Sequence, residues 1–223
     1  MVHVIKNFKR PEKEIIEAFR KLSSATVHEA SGKKGAVSYL IKPINRGMKL
    51  CGPALTVQCM PGDNLMLHKA LEIASEGDVI VADTHGAPEY GYWGDLMTVS
   101  AMARKIGGLA IDGCIRDSQE IIEMGFPVFC RGFCIRGTSK SSLGLINYPI
   151  IFGNVRVEPG DLVLGDDDGI VVVKREECEE VLKKALKRVE DEDKKRKVLS
   201  TGISSVEYNN LKEVFEKLGL VEE

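Results

Sequence analysis

The sequence predicts an α/β fold, and three observations carry that expectation. Short apolar runs of strand length alternate with stretches of helical spacing along most of the chain. Glycine-rich loops and polar turns stand where strand hands over to helix. The strands are apolar throughout rather than alternating, as in a sheet packed on both faces.

The elements follow in order. Ile15, Ile16, Phe19 and Leu22 recur at helical spacing after Pro11, so an amphipathic helix opens the fold. LCGPALTVQCM (50–60) reads as a strand, followed by a turn at Pro61-Gly62 and a helix from about 63 to 74. DVIVAD (78–83) is a short strand, and a Gly-rich loop runs from His85 to Gly94. Then come a helix (about 95–106), the strand GLAIDG (108–113), a helix (about 117–124) and the strand PVFCRGF (127–133). The tail changes character: 155–174 is strand-rich with two turns, which suggests a β-hairpin layer added to the α/β unit. A charged helix follows over about 175–198, with Val181, Leu182, Ala185, Leu186 and Val189 on one face, then a short helix around 205–218. The chain, 1–223, reads as one domain without repeats or low-complexity tracts.

Composition removes several function classes. Apolar residues make up 43% and charged residues 29%, ordinary values for a folded chain. The 31 basic and 33 acidic residues are interspersed, giving a net charge of −2. That leaves no basic footprint for nucleic acid and no polybasic membrane anchor. Neither a signal peptide nor an 18-residue apolar run is visible, so a cytoplasmic protein is expected. The six cysteines include no CxxC pair and read as buried, reduced thiols rather than zinc ligands.

The candidate chemistry gathers where strands end, the place at which open α/β sheets bind ligands. One junction delivers Gly94 and Asp95 to a helix start, where the N–H groups of Asp95 to Met97 lack intrahelical partners. The other leads from Asp112-Gly113-Cys114-Ile115 into Arg116-Asp117 at the next helix start. If the two strands are neighbours, a guanidinium, two carboxylates and two helix N-termini converge, able to hold a small carboxylate and a metal. A plainer reading stands beside this: Asp117 with Glu120 matches a capping box, and Asp95 could cap its own helix. His28 and His68 read as satisfied histidines in helical patterns, and His85 as a residue of the entrance loop. Asp166, Asp167 and Asp168 lack EF-hand spacing and read as a hairpin corner. No GxGxxG or GxxxxGK[ST] motif supports dinucleotide or NTP binding.

Asp95, twenty further residues and then Arg116-Asp117 resemble the D-x20-R-D signature of the 4-hydroxy-4-methyl-2-oxoglutarate / 4-carboxy-4-hydroxy-2-oxoadipate aldolases. That family also includes the regulator of ribonuclease activity A proteins. The likeness extends through ATVHEASGKKG (25–35), PGDNLMLHKAL (61–71), GYWGDLMTVSA (91–101), GLAIDGCIRD (108–117), MGFPVFCRG (124–132), GTSK (137–140) and PGDLVLGDDDGIVVV (159–173). It implies a sandwich like the swivelling phosphohistidine domains with a C-terminal helical extension, assembled as a trimer or hexamer with helices 175–218 at the interface. It implies that Asp117 binds Mg²⁺ or Mn²⁺ and that Arg116 stabilises a pyruvate enolate. Gly94, Asp95, Leu96 and Met97 would cradle the pyruvyl carboxylate, and Asp95 would position a water for proton transfer. Glu192 would reach the metal's outer shell from a neighbouring subunit, with Glu190 and Asp193 as close competitors.

The implied reaction is divalent-metal-dependent cleavage of 4-hydroxy-2-oxo diacids to pyruvate and a second keto acid, with oxaloacetate decarboxylation as a side activity. Its chemistry is coherent, because a pyruvate enolate needs electrophilic stabilisation and a carboxylate-and-water sphere suits Mg²⁺ or Mn²⁺. A Schiff-base route would need a desolvated lysine, whereas Lys33, Lys34 and Lys140 sit in polar Gly/Ser-rich segments. The rival reading is a non-catalytic binding protein of the ribonuclease-regulator kind, separated from the enzymes by the completeness of the site.

Overall fold

A computed structural model of the chain describes residues 2–223. Helix α1 (Lys13–Phe19) and α2 (Ser24–Ala30) lead to a short strand β1 (Lys42–Pro43) and the long strand β2 (Leu50–Gln58). Three β–α units follow: α3 (Leu65–Ile73) with β3 (Val79–Asp83), α4 (Asp95–Ala103) with β4 (Gly108–Asp112), and, after β5 (Cys114–Ile115), α5 (Ser118–Met124) with β6 (Val128–Cys130). Short strands β7 (Gly132–Phe133), β8 (Leu145–Ile146), β9 (Ile150–Phe152) and β10 (Val155–Val157) precede β11 (Leu162–Asp166) and β12 (Gly169–Val173). A 3₁₀ turn (Arg175–Glu177) opens α6 (Cys178–Leu199), and α7 (Ser205–Tyr208) and α8 (Lys212–Leu218) end the chain.

The main sheet runs β1-β6-β4-β3-β2-β11-β12, with β8 pairing the far end of β2. β2, β3, β4 and β6 are parallel and the flanking pairs antiparallel, so the sheet is mixed. Its two ends approach each other: Lys42 on β1 donates to the Asp168 carbonyl beside β12, and Ala36 bridges Val171. Period-2 alternation divides the parallel strands between two cores. Leu55, Val57, Ile80, Ala82, Leu109 and Ile111 face α3, α4 and α5. Ala54, Val79, Val81, Ala110 and Phe129 face inward onto β9–β12. A third core seats α1, α2 and α6 on the outer face of β11–β12, through Phe19, Val27, Val171 and Val181.

Four expectations differ from the fold. The hairpin β11–β12 is not an added layer; β11 pairs directly with Leu50–Pro53 of β2 and extends the central sheet. The run at 127–133 divides into β6 and β7, separated at Arg131, whose N–H turns to the Gly113 carbonyl. The terminal helix divides into α7 and α8 around Asn210, which has positive φ. On α6, Val181 and Ala185 are buried, whereas Leu186 is about half exposed and has left the packed stripe. Past Val189 no residue of α6 is buried, so its last turns carry α7 and α8 outward as an arm. Among the described residues, no helix is long and apolar enough to cross a membrane.

Buried acids pin the loops around this frame. Asp78 is held by Arg10 through two 2.7 Å bonds, and Asp161 by Lys174 at 2.8 Å. Asp63, only 2% exposed, accepts from Ser139 Oγ (2.8 Å), Ser141 N (2.7 Å), Ser142 N (3.0 Å) and Leu65 N (2.8 Å). Burial alone would raise this carboxyl, but the four bonds together outweigh it and hold Asp63 below the usual carboxylate range. The 137–142 loop is thereby stapled to the start of α3.

Candidate active site

β3 and β4 are parallel neighbours, so the loops that leave their carboxyl ends run side by side. The first loop reaches α4 through Tyr92 and Trp93, both fully buried. Tyr92 Oη accepts from Gly62 N and donates to the Ala87 carbonyl; Trp93 Nε1 donates to Thr98 Oγ1. Asn64 Nδ2 donates to the Tyr92 carbonyl at 2.9 Å, and Arg116 N donates to the Trp93 carbonyl at 2.9 Å. Those bonds satisfy the loop's backbone carbonyls and set Gly94 directly against the second loop.

The second loop ends in Arg116-Asp117. Asp117 occupies the N-cap position of α5, with φ 54° and ψ 41°, yet its side chain makes no capping bond. It turns away instead: Oδ2 accepts from Asp95 N at 3.2 Å and lies 3.4 Å from Arg116 Nε. The capping-box reading is therefore excluded for Asp117, and Asp95, the first residue of α4, caps nothing either. A left-handed conformation in a non-glycine residue costs on the order of 1 kcal/mol, and such strain collects at functional sites. Gly94 is required by the same contact, because a Cβ there would lie 2.3 Å from Asp117 Oδ2. Gly91 gives the parallel case, its Cβ falling 2.6 Å from the Cys134 carbonyl and 3.1 Å from Arg116 Cβ.

Arg116, Asp117, Asp95 and Gly94 thus meet at one point. Arg116 and Asp117 are 49% and 33% exposed, so both reach solvent while remaining positioned. Asp117 Oδ1 has no hydrogen-bond partner, nor have the N–H groups of Leu96 and Met97 at the head of α4, among the described residues. A carboxylate oxygen, backbone donors on a helix N-terminus and a guanidinium can together take a small keto acid and a cation. A cavity of about 360 Å³ opens there, lined by Arg116, Asp117, Ser118, Phe133, Cys134 and Ile135. Its lining is partly apolar and open, Phe133 being 59% and Ile135 95% exposed.

Glu192 is not brought to this point within one chain. It lies on α6, paired with Arg188 at 2.8 Å and Arg196 at 3.5 Å. His85 sits in the loop after β3, its Nδ1 3.3 Å from Gln58 Nε2, and is half exposed. His28 Nδ1 meets the Lys34 carbonyl, and burial followed by the Lys140 charge lowers His68. Asp166 is a hairpin corner, and it also accepts from Ser24 N and Oγ at the start of α2. Among the described residues, no three His, Cys, Asp or Glu side chains are grouped to hold a metal. Four cysteines are buried, as expected, but Cys114 and Cys134 are only half buried. Sequence reasoning missed Asn64 as the tether of the active loop; its signal was a polar residue inside PGDN at a helix start.

The RraA-like family model (Aldolase/RraA) matches residues 14–172. The chain belongs to the RraA-like family. A "Putative 4-hydroxy-4-methyl-2-oxoglutarate aldolase" of Halalkalibacterium halodurans is 37% identical over 195 residues, 87% of this chain and 93% of that one. The crystal structure of Streptomyces coelicolor RraAS2, titled an unusual member of the RNase ES inhibitor RraA protein family, aligns at TM-score 0.77 and 31% identity. It covers 85% of this chain and 99% of its own. An uncharacterised Pseudomonas syringae protein aligns at TM-score 0.78 with 27% identity, covering 88% of this chain and 97% of that one. This RraA-like chain therefore has relatives named for enzymes and for an inhibitor, and its site must decide between them.

Proposed function

We propose that this RraA-like chain is a Mg²⁺- or Mn²⁺-dependent pyruvate aldolase. It would cleave 4-hydroxy-4-methyl-2-oxoglutarate or 4-carboxy-4-hydroxy-2-oxoadipate to pyruvate plus pyruvate or oxaloacetate, and decarboxylate oxaloacetate as a side reaction. One observation carries the reading. Asp117 is held in a strained backbone with its carboxylate turned from its own helix to Gly94, Asp95 N and Arg116.

The donor set fits a hard divalent cation, because Asp117 Oδ1 is an unpartnered, solvent-reachable carboxylate oxygen. When bound, such an ion supplies Lewis-acid stabilisation of the negative charge that develops on the keto oxygen. Arg116 adds a second positive charge beside that oxygen and can grip a carboxylate in bidentate fashion. The free N–H groups of Leu96 and Met97 donate to the pyruvyl carboxylate, and Asp95 holds a water that returns a proton to the pyruvate methyl carbon. Loss of CO₂ from oxaloacetate leaves the same enolate, so one site serves both reactions.

The assembly proposed is a homotrimer or a hexamer of two trimers, with α6–α8 at the interface and Glu192 completing the neighbour's site. The exposed Phe133 and Ile135 of the cavity, the exposed Leu96 at the head of α4 and the exposed helices α7 and α8 support it, since exposed apolar surface beside a site marks an interface. The experiment is pyruvate release from 4-hydroxy-2-oxo diacids with Mg²⁺ and with chelator. Metal-dependent release supports the enzyme. No turnover, together with stoichiometric capture of a ribonuclease, would support the inhibitor reading that RraAS2 suggests.

A further inference from the structure

We propose that Cys114 and Cys134 form a reversible disulfide that closes only by distorting the ribbon carrying Arg116 and Asp117. Of the six cysteines, Cys51, Cys59, Cys130 and Cys178 are buried, leaving Cys114 and Cys134 as the reachable thiols. Cys114 opens β5 of the small parallel ribbon and Cys134 directly follows β7, the ribbon pairing Cys114 with Gly132 and Ile115 with Phe133. The ladder continues through Cys134 N to the Ile115 carbonyl at 2.9 Å, placing Cys134 beside Arg116. Cys114 Sγ leans over Gly132, 3.9 Å from where a Cβ would stand, so the space between the two thiols holds no intervening side chain from residue 132. After β7 the chain crosses back toward Gly91, whose N–H donates to the Arg136 carbonyl at 2.8 Å, and the Cys134 carbonyl lies over Gly91. Burial, and after it the neighbouring Cys134, raises the Cys114 thiol.

Diagonal neighbours on a ribbon sit about 7–8 Å apart in Cα, and a disulfide spans at most about 7 Å without backbone movement. Closing the bond therefore draws β5 and the 134–136 segment together by about an ångström. Arg116 lies between them, and Arg116 N is bonded to the Trp93 carbonyl at the head of the active loop. Oxidised glutathione suffices as the oxidant. Cys134, which lines the cavity, attacks one of its sulfurs as the thiolate, forms a mixed disulfide and releases one glutathione thiolate. Cys114 then attacks the Cys134 sulfur and releases the second. Two protein thiols lose two protons and two electrons, and one small disulfide becomes two thiols.

The chemistry goes beyond the aldolase reading and does not depend on it, because Trp93 is the only tryptophan and reports on the same loop. The full-length protein is incubated with oxidised glutathione, then split for unreduced peptide mapping, tryptophan emission and pyruvate methyl-proton exchange. The expected result is a Cys114–Cys134 linked peptide two hydrogens lighter, a changed Trp93 emission and reversal of both by dithiothreitol. Exchange should fall by roughly 100-fold, the typical cost of a 1 Å misplacement. Cys134→Ser, or Cys114→Ser should the first fail to fold, should block the link and the emission change. Persistent free thiols, a mixed disulfide that never resolves, a bond to Cys130 or to a second copy, or a link without an emission change would overturn the proposal. Exchange absent already in the reduced protein would instead count against the aldolase reading.

Discussion

Replacing Gly94 by alanine places a methyl group 2.3 Å from Asp117 Oδ2 and 3.3 Å from Arg116 Nε. Ordinary contact begins near 3.4 Å, so the carboxylate oxygen must retreat by about 1 Å. The Asp117 side chain is one-third exposed and ends in that oxygen, so it can swing into solvent cheaply. Gly94 itself has φ −146° and ψ −172°, a conformation that alanine adopts without strain. Stability should therefore change by no more than about 1 kcal/mol, within the range of well-tolerated substitutions. Activity should fall by about 100-fold, because the displaced carboxylate carries Asp117 Oδ1, the oxygen proposed to hold the cation, about 1 Å out of place. The assay is pyruvate release with Mg²⁺ alongside thermal unfolding, and Gly137→Ala, which meets nothing within 4 Å, is the control. Activity within twofold of the parent would refute the contact argument, and so would loss of activity only in step with unfolding.

Asp117→Gly should abolish turnover yet match or exceed the parent in stability, by up to about 1 kcal/mol, since glycine accepts the left-handed backbone freely; denaturant unfolding decides it. Arg116→Lys should depress aldol cleavage and oxaloacetate decarboxylation in parallel, because a point charge cannot replace the bidentate fork; unequal losses would contradict a shared enolate. Asp63→Asn should cost about 2–4 kcal/mol, by leaving buried donors of the 139–142 loop unpaired. Asp63 is lowered in the fold, so its contribution is present above the unfolded value near pH 4 and is lost as pH falls through the folded value. The difference between parent and variant should shrink over that acid range, and urea unfolding at stepped pH measures it. If Glu192 completes the neighbour's site as proposed, Glu192→Gln should reduce turnover by about 10–100-fold without abolishing it.

The parallel strands were legible because each is a continuous apolar run between a turn and a helix pattern, as in DVIVAD and GLAIDG. The strands β5 and β7 to β9 were not, since two or three residues carry no period and these form only where tertiary pairing supplies a partner. The placement of β11–β12 was equally hidden: hairpin chemistry shows in the sequence, but the edge it joins depends on β2, over 100 residues away. At the site, the convergence of Asp95 with Arg116-Asp117 was readable from the two strand ends. The direction of the Asp117 carboxylate was not, because a capping box and a turned-away aspartate share one sequence pattern. Asp63 and Asn64 escaped because the loops they tether lie 76 to 79 and 28 residues away, respectively.

The most direct test of the account is exchange of the pyruvate methyl protons in D₂O, followed by NMR, with Mg²⁺ and with chelator. This reaction needs the enolate site and nothing beyond it. The account predicts Mg²⁺-dependent exchange that Asp117→Ala removes while the variant stays folded. Exchange that persists in chelator and in folded Asp117→Ala would contradict it.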